Sequence, residues 1–257
     1  MRYLFWLKKL IRFWLTITFS LAVSASLSYS VEVDKKIALL TGDYPPYEIE
    51  VPKDGLVGYD IEVVNAVFQR AGYEVDIRFF PWKRAINQIE NGHAAGGFSI
   101  ADTPERREIC ALSDPISSIT PVLAVRADLK EPRPQALAET LLYRGVGIRG
   151  YSFQQELARI GAPHTILSTD EQALLFLIKS RADVFYTVKE STQFLVKSMG
   201  LENQIQFVLL QDKQVEYFHV CFSKAWPNYE RYVDVFNKGL KSLRDEGLYE
   251  LIHRKYE

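Results

Sequence analysis

The feature that most constrains the fold of this chain is an alternation of short apolar segments with longer amphipathic ones, which occurs twice. A strand-like segment at 36–40 is followed by a helical pattern at 59–71, which ends at Gly72, a typical helix-terminating residue. The same alternation begins again with a strand pattern at 145–148 and a helical pattern at 153–160. Alternating elements of this kind predict an α/β protein in which helices cover the sheets.

Further segments extend both rounds of the alternation. Strand patterns occur at 75–80, 107–112, 122–125, 182–187, 205–210 and 217–222, and helical patterns at 83–90, 173–179 and 228–245. Thr169 and Gln172 form a capping box ahead of the helix at 173–179. The polar, proline-containing stretch 128–134 lies between the two rounds, and we expect an edge between two lobes there.

Charge narrows the function. The chain has 31 Lys and Arg residues against 32 Asp and Glu residues, so it lacks the basic field that holds nucleic acid or anionic lipid. With 47% hydrophobic residues, its 257 residues are enough to bury a sizeable core. This composition suits a soluble binder of small molecules.

The N-terminus predicts export. Arg2, Lys8, Lys9 and Arg12 flank or precede the apolar run 13–27, which is the pattern of a secretory signal peptide. An uncleaved anchor helix is the alternative, but the run falls short of the ~20 residues that a bilayer requires. We therefore expect a signal peptide over residues 1–30, cleaved after Ala25 or Ser30, and a mature protein in the periplasm.

Two cysteines, Cys110 and Cys221, remain in the predicted mature chain. An oxidising compartment permits a disulfide between them, but isolated cysteines on strands are equally common as small buried apolar residues. Both alternatives stay open. The spacing of His and Cys does not suggest a zinc site, and we expect no metal or other cofactor.

Eight short motifs then appear in a fixed order along the chain. They are Tyr44-Pro45-Pro46-Tyr47, Gly58-Tyr59-Asp60-Ile61-Glu62, Pro81-Trp82, Thr103-Pro104-Glu105-Arg106, Ser113-Asp114-Pro115, Gly147-Ile148-Arg149-Gly150-Tyr151-Ser152, Ala182-Asp183-Val184 and Asp245-Glu246-Gly247-Leu248-Tyr249 with Lys255-Tyr256. Together they resemble the bacterial extracellular solute-binding proteins of family 3, the amino-acid-binding components of ATP-driven (ABC) importers.

The resemblance implies a two-lobed periplasmic-binding-protein clamp. Each lobe would be a mostly parallel sheet flanked by helices, and two crossover strands would form the hinge. Residues 31–120 and 214–257 would build the first lobe, and residues 121–213 the second. The ligand of such a clamp binds between lobes that close around it.

The resemblance also implies which side chains bind the ligand. Arg106 occupies the place of the family's carboxylate-binding arginine, a task that suits a planar guanidinium. Tyr44 and Trp82 would form the walls of the pocket, and Ser152 would hold the carboxylate from the start of a helix in the second lobe. Tyr186 is a further candidate contact, although a structural role is the alternative for each of these residues.

The sequence departs from the family pattern in three places. Arg84 stands where the family usually has an aromatic residue, and it either adds a positive charge to the pocket or faces solvent. Val188 replaces the family's amine-binding acid, while Ala101 replaces a hydroxyl residue. These changes leave a polar amino acid and an anionic solute as equal expectations, with Asp102 or Glu190 as substitute contacts.

Three functions are compatible with these motifs. The expected one is a monomeric binding protein that delivers an amino acid or related small carboxylate to the inner-membrane permease of an ABC importer. The alternatives are a ligand sensor that signals to a membrane partner and a dehydratase-like enzyme on the same fold. Acids are available for catalysis, namely Glu48, Glu62, Asp102, Asp183 and Glu190, but no catalytic spacing stands out, so we expect no enzyme.

Overall fold

The structure is a computed structural model that describes residues 35–52 and 55–256. The predicted signal segment 1–30 lies outside these residues. The strands are, in chain order, β1 (Lys36–Thr41), β2 (Glu74–Phe79), β3 (Gly96–Ala101), β4 (Cys110–Ile119), β5 (Pro121–Arg126), β6 (Gly145–Ile148), β7 (His164–Leu167), β8 (Val184–Val188), β9 (Ile205–Leu209) and β10 (Glu216–Ser223).

Helices separate most of these strands. They are α1 (Tyr59–Arg70), α2 (Trp82–Glu90), α3 (Pro104–Ile109), α4 (Ser152–Arg159), α5 (Asp170–Ile178), α6 (Lys189–Ser198), α7 (Tyr229–Asp245) and α8 (Leu248–His253), with short 3-10 turns at Leu137–Leu142 and Arg254–Tyr256. Among the described residues, no helix is long and apolar enough to cross a membrane.

The strands form two five-stranded sheets, each the centre of one lobe. The first has the order β2-β1-β3-β10-β4, and the second has the order β7-β6-β8-β5-β9. Only β10 runs against its neighbours in the first sheet, and only β5 does so in the second. The two-lobed α/β clamp with mostly parallel sheets is thus confirmed.

The first lobe is held together by close packing between the sheet and its helices. Val63, Val64, Val67 and Phe68 of α1 are buried, and the face of α7 that carries Phe236 packs on the same core. Burying each such side chain contributes about 1.5–3 kcal/mol, so this layer fixes the first sheet in place.

Glycine is required where β3 meets its two neighbours in the first sheet, β1 and β10. A Cβ atom on Gly96 would collide with the carbonyl oxygen of Cys221, and one on Gly97 would collide with that of Leu40. The backbones can therefore approach at the centre of the sheet, next to the segments that carry the cavity residues.

The chain crosses between the lobes at two points. Thr120 alone separates β4 from β5, and its amide and hydroxyl donate to the Glu190 carboxylate at 3.0 and 2.6 Å. The second crossing is the segment 210–215 between β9 and β10. The expected edge at 128–134 is wrong, because Arg133 in that stretch donates to Gln206 and so ties it to β9 of the second lobe.

A disulfide joins Cys110 of β4 to Cys221 of β10, with the Cα atoms 5.2 Å apart. This settles the pairing that the sequence left open. The strand predicted at 107–112 begins only at Cys110, because Thr103 caps a short helix, α3, that includes Arg107. The bridge thus links the two strands from which the chain leaves and re-enters the first lobe.

Candidate functional site

A cavity of about 530 Å³ lies between the two lobes. Its first-lobe wall comes from segments that follow β1, β2 and β3, and its second-lobe wall from segments that follow β6, β7 and β8. All six segments begin at the carboxyl ends of parallel strands, which is where α/β proteins place their ligand sites. The fold itself therefore directs loops and helix starts from both lobes into one space.

Arg106 lies in this cavity. Its position follows from the sequence, since the Thr103 hydroxyl accepts a hydrogen bond from the Arg106 amide and starts α3 there. The side chain is 9% exposed, and Nη2 donates to the carbonyl oxygen of Gly150 in the other lobe at 3.2 Å. Burial lowers the pKa of the guanidinium below its usual value, although the group stays charged.

Aromatic rings close the cleft beside Arg106. The Tyr44 and Tyr151 rings come from different lobes and meet edge to face, with centroids 5.7 Å apart. Tyr44 also stacks on Tyr47 at 5.6 Å, so its ring is held from the first-lobe side. Trp82 lines the cavity at the start of α2. The structure brings together Tyr44, Trp82 and Arg106 as the sequence predicts.

Ser152 also lines the cavity, as the first residue of α4. Tyr151 holds the N-cap position and makes no side-chain cap, so Ser152 lies one residue inside the helix. Gly150 precedes both with φ +86°, and an added Cβ there would lie 3.3 Å from Lys83 of the other lobe. The close approach of the lobes at this point requires the glycine.

The structure does not bring Arg84 or Tyr186 to the cavity. Arg84 is exposed on α2, so its guanidinium adds no charge to the cavity lining. Tyr186 is 1% exposed, packs against Phe153 at 4.6 Å and donates to Glu156 at 3.3 Å. The geometry supports the interpretation of Arg84 as a surface residue. Tyr186 is buried in the second lobe behind the residues that line the cavity.

Among the described residues, the cavity lining includes five carboxylates that the sequence did not assign to ligand binding, and two of them, Glu48 and Asp170, are buried. The sequence offers Glu48 only as a catalytic candidate and does not single out Asp170. Both line the cavity, with exposed fractions of 1% and 5%. Asp170 directly follows Thr169 of the capping box, so its place at a helix start was the one signal available for it.

The environment of these two acids favours their protonated forms. Burial raises the pKa of Glu48 well above its usual value, and neighbouring Asp60 adds to this while Thr41 opposes it. Burial also raises the pKa of Asp170 to about 7, although the Tyr151 hydroxyl, 3.0 Å away, favours the ionised form. Each therefore costs free energy to ionise unless a cation lies beside it.

A third buried acid, Asp60, supports the floor of the cavity. One of its oxygens accepts hydrogen bonds from Ser99 at 2.7 Å and Ser117 at 2.9 Å. Ser99 lines the cavity in a left-handed conformation with φ 55°, so this bond holds a strained residue in position. Burial raises the pKa of Asp60 to about 7.

The other acids named from the sequence have structural partners. Asp102 pairs with Arg107, Asp183 with Arg144, and Glu62 with Lys255. Glu190 binds Thr120 at the hinge. These pairings leave Glu48 as the one member of that set in the cavity lining. Within 35–52 and 55–256, no group of three His, Cys, Asp or Glu residues is arranged to hold a metal ion.

Two lobes closing on a buried cavity with an internal arginine define a ligand-binding clamp. Residues 37–257 match the family described as bacterial extracellular solute-binding proteins, family 3, and the chain belongs to that family. The two-lobed fold and the family resemblance predicted from the ordered motifs are thereby confirmed.

Individual relatives are more distant. The arginine-binding extracellular protein ArtP of Bacillus subtilis (strain 168) is 26% identical over 248 residues, which cover 93% of each chain. A histidine kinase sensor domain similar to periplasmic binding proteins superposes with a TM-score of 0.77 at 20% identity, covering 86% of this chain and 95% of that one. An ancestral arginine-binding protein bound to arginine gives 0.75 at 18%, covering 86% and 98%.

Proposed function

We propose that this protein captures an amino acid between its two lobes and delivers it to the inner-membrane permease of an ABC importer. The observation that carries the proposal is Arg106, a guanidinium that is 9% exposed and lines a cavity of about 530 Å³. A buried arginine of this kind forms paired hydrogen bonds with a carboxylate. The size of the cavity suits a ligand of amino-acid dimensions.

Other residues of the cavity lining would contact the rest of the ligand. Tyr44 and Trp82 supply apolar walls from the first lobe. Ser152 and the free amides at the start of α4 face the cavity from the second lobe, where a helix N-terminus favours an anionic group. The ligand would thus hold the lobes together through contacts that neither lobe provides alone.

The proposal places the protein in the periplasm as a monomer. The basic and apolar pattern at residues 1–30 is that of an export signal, and membership of an extracellular solute-binding family supports the same location. No catalytic role is proposed, because a binding clamp accounts for the buried cavity groups without a chemical step.

A thermal-shift screen of the mature chain tests the proposal. The protein is unfolded and refolded to remove bound solute, and is then heated with each L-amino acid. One amino acid or a small group should stabilise the fold by about 2.7 kcal/mol at 100 times the dissociation constant.

Arg106→Ala should weaken that binding by at least about 30-fold, because it leaves the ligand carboxylate without its charged partner. Arg107→Ala is the matched control, since Arg107 pairs with Asp102 and does not line the cavity. Unchanged affinity in Arg106→Ala would disprove the proposed carboxylate site. Failure of all amino acids to stabilise the wild type would disprove the proposed function.

A further inference from the structure

Buried acidic groups outnumber buried basic groups in the cavity lining. Of its residues, Glu48, Asp170 and Arg106 are ionisable and at least nine-tenths buried. Two carboxyl groups thus accompany one guanidinium. A ligand carboxylate on Arg106 would neutralise the arginine and leave both acids without a counter-ion.

Neither carboxylate oxygen of Glu48 makes a hydrogen bond of good geometry within the described residues, although the Thr41 hydroxyl lies close enough to lower its pKa somewhat. Its backbone is fixed, since Tyr44 and Glu48 exchange main-chain hydrogen bonds at 3.0 and 3.2 Å. Gly58 approaches so closely that an added Cβ would collide with the Tyr47 carbonyl oxygen. The loop therefore holds an unpaired acid in the cavity wall, which costs free energy unless a ligand compensates it.

Asp170 repeats this arrangement in the other lobe. Its Oδ2 accepts the Tyr151 hydroxyl, but Oδ1 is buried and has no partner among the described residues. It is the first residue of α5, where Thr169 caps the helix and so fixes its position. The cavity lining therefore includes, from each lobe, one acid with at least one buried and unpartnered oxygen.

No basic side chain of the described protein pairs with either acid. The ion pairs of the second lobe are made by other carboxylates, such as Asp183 with Arg144 and Glu156 with Lys213. Several acids outside the cavity thus have cationic partners, whereas neither of these two buried lining acids does.

We propose that Glu48 and Asp170 bind two cationic groups of the solute, its α-ammonium group and a positively charged side chain, while Arg106 binds its carboxylate. The substrate class is then the cationic L-amino acids. This inference rests on the proposed function and deepens it. It also explains how Val188 can line the cavity in place of an acid, since the amine finds its carboxylate elsewhere.

Ligand pairs of similar shape and different charge test the proposal by titration calorimetry. L-arginine is compared with L-citrulline, and L-lysine with L-norleucine, which lacks only the side-chain ammonium group. Wild-type protein should bind the cationic member of at least one pair about tenfold more tightly or better, as expected for a charge-assisted hydrogen bond.

Glu48→Gln and Asp170→Asn keep the shape of each side chain and remove its charge. The variant of the acid that binds the side-chain cation should reduce the preference for the cationic member by about tenfold, whereas the variant of the acid that binds the α-ammonium group should weaken the binding of both members alike. Asp234→Asn and Glu202→Gln are the controls, because they remove one exposed acid outside the cavity from each lobe and should leave the preference unchanged. Thermal unfolding without ligand shows that the variants fold, since an amide resembles the protonated acid that burial favours.

Two results would overturn the proposal. One is wild-type protein that binds the neutral member of both pairs as tightly as the cationic member. The other is an unchanged preference in both variants. If neutral amino acids bind as tightly as cationic ones and Arg106→Ala abolishes that binding, the inference fails while the proposed function stands. If no amino acid binds, both fail.

Discussion

The two lobes share an architecture but contribute differently to the cavity. In the first lobe, the residues around the cavity are held by contacts with the buried interior. Ser99 donates a hydrogen bond to buried Asp60, and a disulfide joins Cys110 to Cys221 in the same lobe. In the second lobe, Tyr151, Ser152 and Asp170 stand at the starts of two helices, held chiefly by local contacts.

This difference suggests a division of tasks. The first lobe presents Arg106, Tyr44 and Trp82 on a braced surface, which suits groups that any amino acid would contact. The second lobe adds Asp170 as the cleft closes, and with it a charge that only some ligands can neutralise. We therefore expect changes in the first lobe to affect stability and general binding, and changes in the second to affect selectivity.

Removing the disulfide should have the largest effect on stability. A bridge that closes a loop this long, with a sequence separation of 111, contributes about 2–4 kcal/mol. The double variant Cys110→Ser and Cys221→Ser should therefore lower Tm by several degrees, as measured by scanning calorimetry. Hydrogen exchange should accelerate chiefly in β4 and β10.

Equal acceleration in the sheet of the second lobe would contradict the comparison, because it would show that both lobes depend on the bridge. The affinity of the folded double variant for its ligand should change by less than about threefold. Neither sulfur atom belongs to the cavity lining, so the bridge acts on the fold rather than on the ligand.

The pH should act in opposite directions on the ligand-free fold and on ligand binding. Burial raises the pKa values of Asp60 and Asp170 from 3.8 to about 7, so the folded protein holds protons that the unfolded chain releases. The stability that these groups contribute is complete below about pH 4 and is lost as the pH rises through 7. The Tm of the ligand-free protein should fall over this range.

Binding of a cationic amino acid should strengthen as the pH rises from 6 to 8, because only the ionised acids pair with it. The groups that act on Asp170 are Tyr151, Tyr44 and Glu171, none of which supplies a positive charge, while the two other cations of the cavity lining, Lys83 and Arg149, are exposed. L-arginine should also release protons when it binds at pH 7, a release that calorimetry in buffers of different ionisation enthalpy detects. Binding that is independent of pH would contradict ionisation of Asp170 on binding.

Much of the fold follows from the sequence. Strong apolar patterns at β1, α1 and α7 predict their elements to within a few residues, since one face of each is buried. The strands β3 and β7 had not been predicted. The first is rich in small residues that only the tertiary close approach at Gly96 and Gly97 explains, and the second is short and largely exposed at the sheet edge.

The cavity is less predictable than the fold. Arg106 could be found because a capping threonine and a motif place it. The charge of the cavity could not be predicted, because it depends on which acids lack a hydrogen-bond or ion-pair partner in the folded protein. Arg84 suggested an anionic ligand from its position in the chain, yet it faces solvent, whereas Glu48 and Asp170 lie more than a hundred residues apart and meet only through the clamp.

The most direct test of the account is a crystal structure of the mature protein with the cationic amino acid that gives the largest thermal shift. The account predicts the ligand carboxylate on the Arg106 guanidinium, and its two cationic groups within hydrogen-bond distance of Glu48 and Asp170. A ligand whose carboxylate lies away from Arg106, or whose cationic groups both face solvent, would contradict it.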